Sequence, residues 1–219
     1  MHYILAFFLI MASGITTYSQ EGDWSLFNAE RYFTEIKIDG DYLWAGTNFG
    51  LLRYNMVTGD RKVFLSTNSG FKGEGVEAIE IAPDGSCWVG SKNAGLLHYR
   101  DGVWKNYFKL DSGEFLTWIS KLKFAPDGTL WFVSNADSNC SGCQHLFSFK
   151  GGSFTNHDSN LGSDLGSLTS QDFEIDDEGY LWFVDGGKVL RYTGNTAVTE
   201  FTKSDLGLGL SESLIKIKL

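Results

Sequence analysis

Asp41-Tyr-Leu-Trp44-Ala-Gly-Thr47 is the stretch of sequence that decides the fold, because variants of it return three more times along the chain. Each copy has a central tryptophan, followed by a small or apolar residue and then a glycine or a valine. The four tryptophans are Trp44, Trp88, Trp131 and Trp182. Their spacings are 44, 43 and 51 residues. The first two match the period of about 40–45 residues that is typical of the four-stranded blades of a β-propeller, and the third repeat is longer.

Each repeat divides into four short strands. An acidic residue and a glycine, as in Asp84-Gly85, end the first strand, and this pair favours a tight hairpin because the glycine accepts a positive φ. The second strand carries the tryptophan. A third strand rich in Leu and aromatic residues follows, at 51–54, 96–99, 146–149 and 189–192. A second turn then leads to an outer strand, so each repeat predicts one antiparallel sheet.

The repeats predict an all-β fold, a β-propeller of four four-stranded antiparallel blades plus the start of a fifth. A large flat side chain in the second strand fits the wedge-shaped space between two neighbouring sheets. We therefore interpret the four tryptophans as blade core, each stabilising the fold by roughly 2–3 kcal/mol on burial. The predicted blades span 29–65, 66–108, 109–155 and 158–202, and the fifth begins at residue 203.

The last residues of the chain, 213–219, resemble a first strand without its partner strands. We expect the chain to be an N-terminal fragment of a longer polypeptide, and the isolated 219-residue chain to fold poorly or to self-associate. The alternative is a small ring of four blades with an appended strand.

The N-terminus has the pattern of a secretory signal. Residues 4–12 form an almost unbroken apolar run, and small residues follow as far as Ser19. The run is too short to span a bilayer comfortably. The sequence therefore predicts a signal peptide over 1–19, a mature partial propeller over 20–219 and an extracytoplasmic location. A short membrane anchor or a buried strand is the alternative.

The charge of the chain narrows the classes of partner. It has 27 acidic and 18 basic residues, for a net charge of −9. Such a chain repels phosphate backbones and anionic lipid, so we expect neither nucleic acid nor a membrane surface as a partner. Contact with a membrane would come only through domains further along a longer polypeptide.

The stretch 41–54, Asp-Tyr-Leu-Trp-Ala-Gly-Thr-Asn-Phe-Gly-Leu-Leu-Arg-Tyr, resembles the two-component regulator propeller repeat of bacteria. The second repeat is similar, whereas Phe132-Val133 and Phe183-Val184 depart from the pattern in the last two. The resemblance covers roughly residues 24–219. It implies a periplasmic, secreted or surface propeller of a kind that often senses glycan fragments, and it does not specify an activity.

Trp118 is the candidate ligand-binding residue, because it stands just before a first strand and outside the repeat. An indole near the central channel can stack on a sugar ring, and we expect Phe115 and Phe71 to line the same mouth. The alternative is a structural cap over the core. Phosphate loops, nucleophile elbows and metal-binding helices do not occur in the sequence, so it predicts no catalytic residue, metal or cofactor.

The three cysteines separate into a pair and a single residue. Cys140 and Cys143 lie in an insertion of the third repeat, and outside the cytoplasm such a pair favours a local disulfide. A redox pair and a zinc site are the alternatives. Asn135, Asp137 and Asn139 hint at calcium in the same insertion. Cys87 takes an apolar position of the repeat and is predicted to be a buried free thiol.

The leading functional hypothesis is an extracytoplasmic binding or sensory propeller for a glycan or a protein, without enzymatic activity. A secretion-associated or surface scaffold that binds proteins is the second hypothesis. A propeller lyase or hydrolase is the third, because propeller enzymes collect their catalytic residues from several blades.

Overall fold

The computed structural model describes residues 32–135, 144–160, 173–185, 188–195, 197–202 and 204–207. These residues form sixteen strands and one 3-10 turn at Asp158–Asn160. The signal peptide, the Cys140 and Cys143 pair and the predicted strand at 213–219 lie outside the described residues. The strands are β1 Phe33–Asp39, β2 Tyr42–Thr47, β3 Gly50–Asn55, β4 Arg61–Phe64, β5 Val76–Ile81, β6 Cys87–Ser91, β7 Gly95–Arg100, β8 Val103–Tyr107, β9 Thr117–Phe124, β10 Leu130–Asn135, β11 His145–Lys150, β12 Ser153–Asn156, β13 Phe173–Ile175, β14 Leu181–Asp185, β15 Lys188–Tyr192 and β16 Ala197–Thr202.

The strands form four four-stranded antiparallel sheets, each with its strands in chain order. We call them blade 1 (β1–β4), blade 2 (β5–β8), blade 3 (β9–β12) and blade 4 (β13–β16). The first strands of successive blades lie next to each other in space: β1 contacts β5, β5 contacts β9 and β9 contacts β13. The fold is therefore the predicted β-propeller, with the first strands at its inner side.

The predicted hairpins explain the short connections inside the blades. In blade 2 the Gly85 N–H donates to the Ala82 carbonyl over 2.9 Å, with a φ of +77° at Gly85. Blade 3 repeats the turn, with Gly128 bonded to Ala125 over 2.9 Å at a φ of +80°. A positive φ costs glycine little, so these turns hold the first and second strands in register.

The repeated tryptophans form the contacts between blades. Each of the first three lies against an aromatic ring in the third strand of the following blade. The ring centroids are 5.9 Å apart for Trp44 and Tyr99, 5.0 Å for Trp88 and Phe149, and 6.0 Å for Trp131 and Tyr192. These three indoles are buried, which confirms their interpretation as blade core. Trp182 is partly exposed, and its indole N–H donates to the Asp176 carboxylate over 2.7 Å.

A glycine two residues after the tryptophan controls how closely the next blade approaches. A Cβ on Gly46 would lie 2.5 Å from Val76 Cγ1, and one on Gly90 would lie 2.9 Å from Ile119 Cγ2 and would also strike the Ile119 carbonyl oxygen. Blade 3 has the buried Val133 at this position. The glycine of the repeat therefore provides the room for the first strand of the following blade.

Candidate functional site

The inner side of the blades carries a charged groove. It has a volume of about 180 Å³ and is lined by the first strands of all four blades. Its charged lining consists of Glu35, Lys37, Glu80, Lys121, Lys123 and Glu174. Lys37 Nζ lies 2.6 Å from Glu80 Oε2, Lys121 Nζ lies 3.4 Å from Glu174 Oε1, and Lys123 is ion-paired to the same glutamate. The groove is therefore polar, with its opposite charges largely paired.

The paired charges alternate in sign from blade to blade. The residue that pairs with the repeat tryptophan on the first strand is Lys37 in blade 1, Glu80 in blade 2, Lys123 in blade 3 and Glu174 in blade 4. We call these four residues the inner charge ladder. Two of its steps are direct ion pairs between neighbouring blades, so the ladder joins the blades as well as lining the groove.

Trp118 lies at the start of β9, where the strand is doubly bulged. Asn135 pairs with Thr117, Ser134 with Ile119 and Val133 with Lys121, so neither Trp118 nor Ser120 has a residue opposite it. The first strands of blades 1 and 2 have one such irregularity, at the position of Ser120. The bulge at Trp118 is therefore additional to the repeat.

The backbone of Trp118 is strained. Its φ is +31°, and among the described residues Asp101 is the other non-glycine residue with a positive φ. A bulky residue in this region costs about 1–3 kcal/mol and persists where its surroundings hold it. The buried Ser134 hydroxyl accepts the Thr117 N–H over 3.1 Å and donates to the Thr117 carbonyl over 2.7 Å. The Trp118 N–H donates to the Lys92 carbonyl over 3.1 Å, so blade 2 also holds this conformation.

Lys92 links Trp118 to two loops of blade 2. Its Nζ lies 5.4 Å from the centroid of the Trp118 ring, within the range of a cation–π contact. Its N–H donates to the Gly75 carbonyl over 3.1 Å, and Asn93 Nδ2 donates to Glu74 over 3.2 Å. The lysine is exposed, and no ion pair of its ammonium occurs among the described residues. We call Trp118, Lys92, Asn93 and Glu74 the rim site.

The two phenylalanines predicted beside Trp118 lie in different places. Phe115 is 43% exposed; its ring is 5.6 Å from that of Phe108, and Lys109 Nζ lies 5.0 Å from its centroid. Phe71 is fully buried at 0% exposure and packs on Trp104, with the ring centroids 4.9 Å apart. Phe71 therefore belongs to the core between blades 1 and 2, and its assignment to the mouth is corrected. Its loop folds inward, because the space beside Trp104 accepts another ring.

Two further predictions concern the thiol of Cys87 and a metal site in the insertion of the third repeat. Cys87 is free and fully buried, which confirms the prediction of a buried free thiol, and burial raises the pKa of this thiol far above the usual value. Asp137 and Asn139 of the calcium hint lie outside the described residues. No group of three or more His, Cys, Asp or Glu suited to a metal ion occurs within the parts of the chain that the structure describes. No helix among those residues is long and apolar enough to cross a membrane.

A buried histidine was missed from the sequence. His157 occupies the space beside Trp131, with the rings 4.6 Å apart, and burial lowers its pKa while the nearby Asp158 opposes that shift. Tyr192 donates its hydroxyl proton to the Gly194 carbonyl over 2.7 Å, so His157 Nδ1 donates to the Tyr192 oxygen over 3.0 Å. Nε2 then accepts from the Ser148 hydroxyl over 2.8 Å. The repeat pattern gave no signal for this contact, since His157 lies outside the aligned segments.

Comparisons with known proteins support the fold. No protein-family model matches the chain, and no curated protein sequence is similar to it. The extracellular domain of the hybrid two-component system BT4673 from B. thetaiotaomicron has a TM-score of 0.57 at 18% identity, over 75% of this chain and 21% of that one. PorZ, a surface component of the type-IX secretion system of Porphyromonas gingivalis, has a TM-score of 0.56 at 16% identity, over 76% and 26%.

YCF48 bound to a D1 peptide is also similar, with a TM-score of 0.56 at 14% identity, over 84% of this chain and 56% of that one. The chain thus spans about a fifth to a quarter of the length of the first two neighbours. At these identities the likeness shows the propeller fold alone, because one fold supports many functions.

Proposed function

We propose that the chain is an extracytoplasmic recognition module of the two-component-regulator type, a sensory propeller that binds a carbohydrate at the rim site. The observation that carries the proposal is the left-handed backbone of Trp118, at a bulge that the repeat does not need. Strain of this kind is found where a side chain must be held for recognition. A partly exposed indole with a cation on its ring offers an apolar face for a sugar and a charge for its hydroxyl or carboxyl groups.

Two of the similar structures come from such a setting. One is an extracellular part of a two-component system and another is a bacterial surface component. The resemblance of the repeat to bacterial regulator propellers and the signal-like N-terminus favour the same location. Mass spectrometry of the protein secreted by a bacterial host tests it, because we expect the mature chain to begin at Gln20. Retention of the intact N-terminus in the cytoplasm would contradict the extracytoplasmic part of the proposal.

Binding is tested with an array of oligosaccharides, followed by titration calorimetry on the best sugar. We expect Trp118→Ala to weaken binding at least about fivefold, since stacking on an aromatic ring contributes about 1 kcal/mol or more. Phe201→Ala is the matched control, because Phe201 is an exposed ring on the outer strand of blade 4. Unchanged affinity in a folded Trp118→Ala protein would exclude the rim site.

A protein ligand is the second candidate, and one observation favours it. Phe108 and Phe115 are 44% and 43% exposed and lie against each other, which is the kind of aromatic pair that anchors protein interfaces. Replacement of both by serine would then abolish capture of a protein partner but leave oligosaccharide binding intact. The reverse result would assign the recognition to the rim site.

A further inference from the structure

A guanidinium group lies beside the repeat tryptophan of blade 1. Arg53 pairs with Trp44 across β2 and β3, and its Cζ is 5.5 Å from the centroid of the Trp44 ring. The same Cζ is 4.9 Å from the ring centroid of Tyr42, two residues before the tryptophan, and 6.0 Å from that of Tyr99 in blade 2. Blade 1 therefore holds a cation between two of its own rings and a ring of the following blade.

Blade 4 repeats this arrangement. Arg191 pairs with Trp182, and its Cζ lies 5.8 Å from the ring centroid of Trp182 and 5.2 Å from that of Tyr180. In blade 2 the imidazole of His98 stacks on Trp88 instead, with the ring centroids 4.1 Å apart. A flat, nitrogen-bearing side chain of the third strand thus occupies the space beside the indole in these three blades.

Blade 3 has small residues where blades 1 and 4 have the arginine and the tyrosine. Ser148 pairs with Trp131, and Thr129 stands two residues before the tryptophan. His157 contacts the indole, but Trp131 and Thr129 also line a pocket of about 270 Å³ to which His157 does not contribute. The pocket reaches Gly194 in the second turn of blade 4. We call it the turn pocket, and it corresponds to the place of the arginine side chain in blades 1 and 4.

Two carboxylates give the turn pocket a negative charge. Asp127 and Glu178 belong to the first hairpin turns of blades 3 and 4, and no basic side chain is among the described residues that line the pocket. Asp127 is ion-paired to Lys150, whereas Glu178 is exposed and has no ion pair within the described parts of the chain. An indole beside a carboxylate suits a guanidinium group, which stacks on an aromatic face while its N–H groups donate to carboxylate oxygens.

We infer that the turn pocket binds a guanidinium group, supplied by an arginine side chain of another protein or by a small guanidinium compound. The group takes the place that Arg53 and Arg191 fill in their own blades. It rests against Trp131 and donates to the carboxylate of Glu178. The net charge of −9 favours the approach of such a cation. The turn pocket lies at the opposite end of β9 from Trp118, so this binding is independent of carbohydrate binding at the rim site.

NMR titration of the 219-residue chain with arginine amide tests the inference. We expect saturable shifts of the Gly179 and Gly194 amide resonances, with a dissociation constant in the millimolar range because one small group makes few contacts. Glu178→Gln should weaken binding at least about threefold. Asp177→Asn is the matched control, since Asp177 is an exposed carboxylate of the same turn that does not line the pocket. Citrulline amide, which has nearly the same shape as arginine amide but an uncharged side chain, should not bind.

Three results would overturn the inference: no saturable shift at the two glycines, equal binding of citrulline amide, or equal loss of affinity in Glu178→Gln and Asp177→Asn. The amide resonances of Lys92 and Asn93 report on the rim site in the same spectra, so the outcome there is measured separately.

A capped pentapeptide with a central arginine distinguishes the two sources of the guanidinium group. Tighter binding of the peptide than of arginine amide, lost when citrulline replaces the arginine, would assign the turn pocket to a partner protein. Equal or weaker binding of the peptide would assign the pocket to a small guanidinium compound.

Discussion

The junction between blades 2 and 3 and the junction between blades 3 and 4 share one aromatic contact but are closed by different chemistry. Both place a repeat tryptophan against a third-strand ring of the next blade. At the first junction Gly90 lets β9 approach, and the Trp118 N–H reaches the Lys92 carbonyl. At the second, Val133 replaces the glycine, and His157 bridges Ser148 and Tyr192. The tight junction positions the rim site, whereas the junction of blades 3 and 4 is held by a buried polar network.

The comparison shows that the repeat fixes the contact between the tryptophan and the ring of the next blade, but does not fix which side chains cover the indole. The position that pairs with the tryptophan on the third strand is Arg53, His98 or Arg191 in three blades, and each side chain covers the indole. In blade 3 this position is Ser148, whose side chain is too short to cover the Trp131 indole. His157 covers Trp131 from the end of the fourth strand instead, at the position of Phe64 and Tyr107 in blades 1 and 2.

The largest effect on stability is expected from adding a methyl group where blades 2 and 3 approach most closely, at Gly90. Gly90→Ala should lower the free energy of unfolding by about 3 kcal/mol, because the new methyl group would strike the backbone of Ile119. Chemical denaturation measures the loss. Gly75→Ala is the control, since its Cβ would find its nearest atom at 3.7 Å, and we expect a change of less than about 0.5 kcal/mol. Similar losses in both variants would remove the distinction between the two glycines.

The polar network at the junction of blades 3 and 4 is tested by His157→Phe, which gives this position the kind of ring that Phe64 and Tyr107 provide in blades 1 and 2. At neutral pH the variant should lose about 1–3 kcal/mol of unfolding free energy, because the buried Ser148 hydroxyl loses its acceptor. Urea denaturation measures this loss. A variant as stable as the parent protein would show that the network is dispensable.

The same variant should change the response to acid. Burial lowers the pKa of His157 in the folded protein, so below about pH 6.5 the unfolded chain binds more protons than the folded one. The stability that the neutral His157 gives the folded protein is therefore intact above that pH and is lost as the pH falls through it. His157→Phe should flatten the fall of stability between neutral pH and pH 5, leaving a smaller slope from His98, whose pKa burial also lowers. An unchanged slope would exclude His157 as its source.

A smaller effect is expected at the strained residue of the tight junction. Trp118→Gly and Trp118→Ala remove the same ring, but glycine adopts a φ of +31° without strain. The glycine variant should therefore be about 1 kcal/mol more stable than the alanine variant in thermal denaturation. A more stable alanine variant would mean that the backbone relaxes once the ring is gone, and that the ring causes the strain.

The smallest effect concerns two equivalent turn carboxylates. Asp127 has a pKa lowered to about 2, mainly by its hydrogen bond from Lys150, whereas the Asp84 pKa is lowered mainly by the Ser86 hydroxyl. Both ion pairs are exposed, so Lys150→Ala and Arg100→Ala should each cost less than about 1 kcal/mol. The stabilisation at Asp127 is present above about pH 4 and is lost toward pH 2.

An NMR titration of the two carboxyl groups separates these causes. Lys150→Ala should raise the pKa of Asp127 toward its ordinary value, and Arg100→Ala should leave the pKa of Asp84 low. Equal shifts in the two variants would show that the lysine and the arginine act alike.

The candidate site was only partly predictable. Trp118 could be singled out because it has no place in the repeat, yet its bulge depends on the Ser134 hydroxyl and the Lys92 carbonyl, which are distant in sequence. Phe71 could not be placed, since a loop phenylalanine looks the same whether it lines a mouth or fills the core beside Trp104. Phe115 was expected beside Trp118 at the mouth; it is exposed, and its ring partner is Phe108.

The sequence by itself determined the number of described blades, their turns and the placing of an indole between them. These features follow from a period of local patterns, in which glycine turns and alternating apolar residues act within a few positions. Only the tertiary structure decided which side chains cover each indole, why Trp118 is strained and which charges meet along the inner strands. Those outcomes depend on how closely neighbouring sheets approach, and that distance is set by residues such as Gly90 and Val133 acting across two blades.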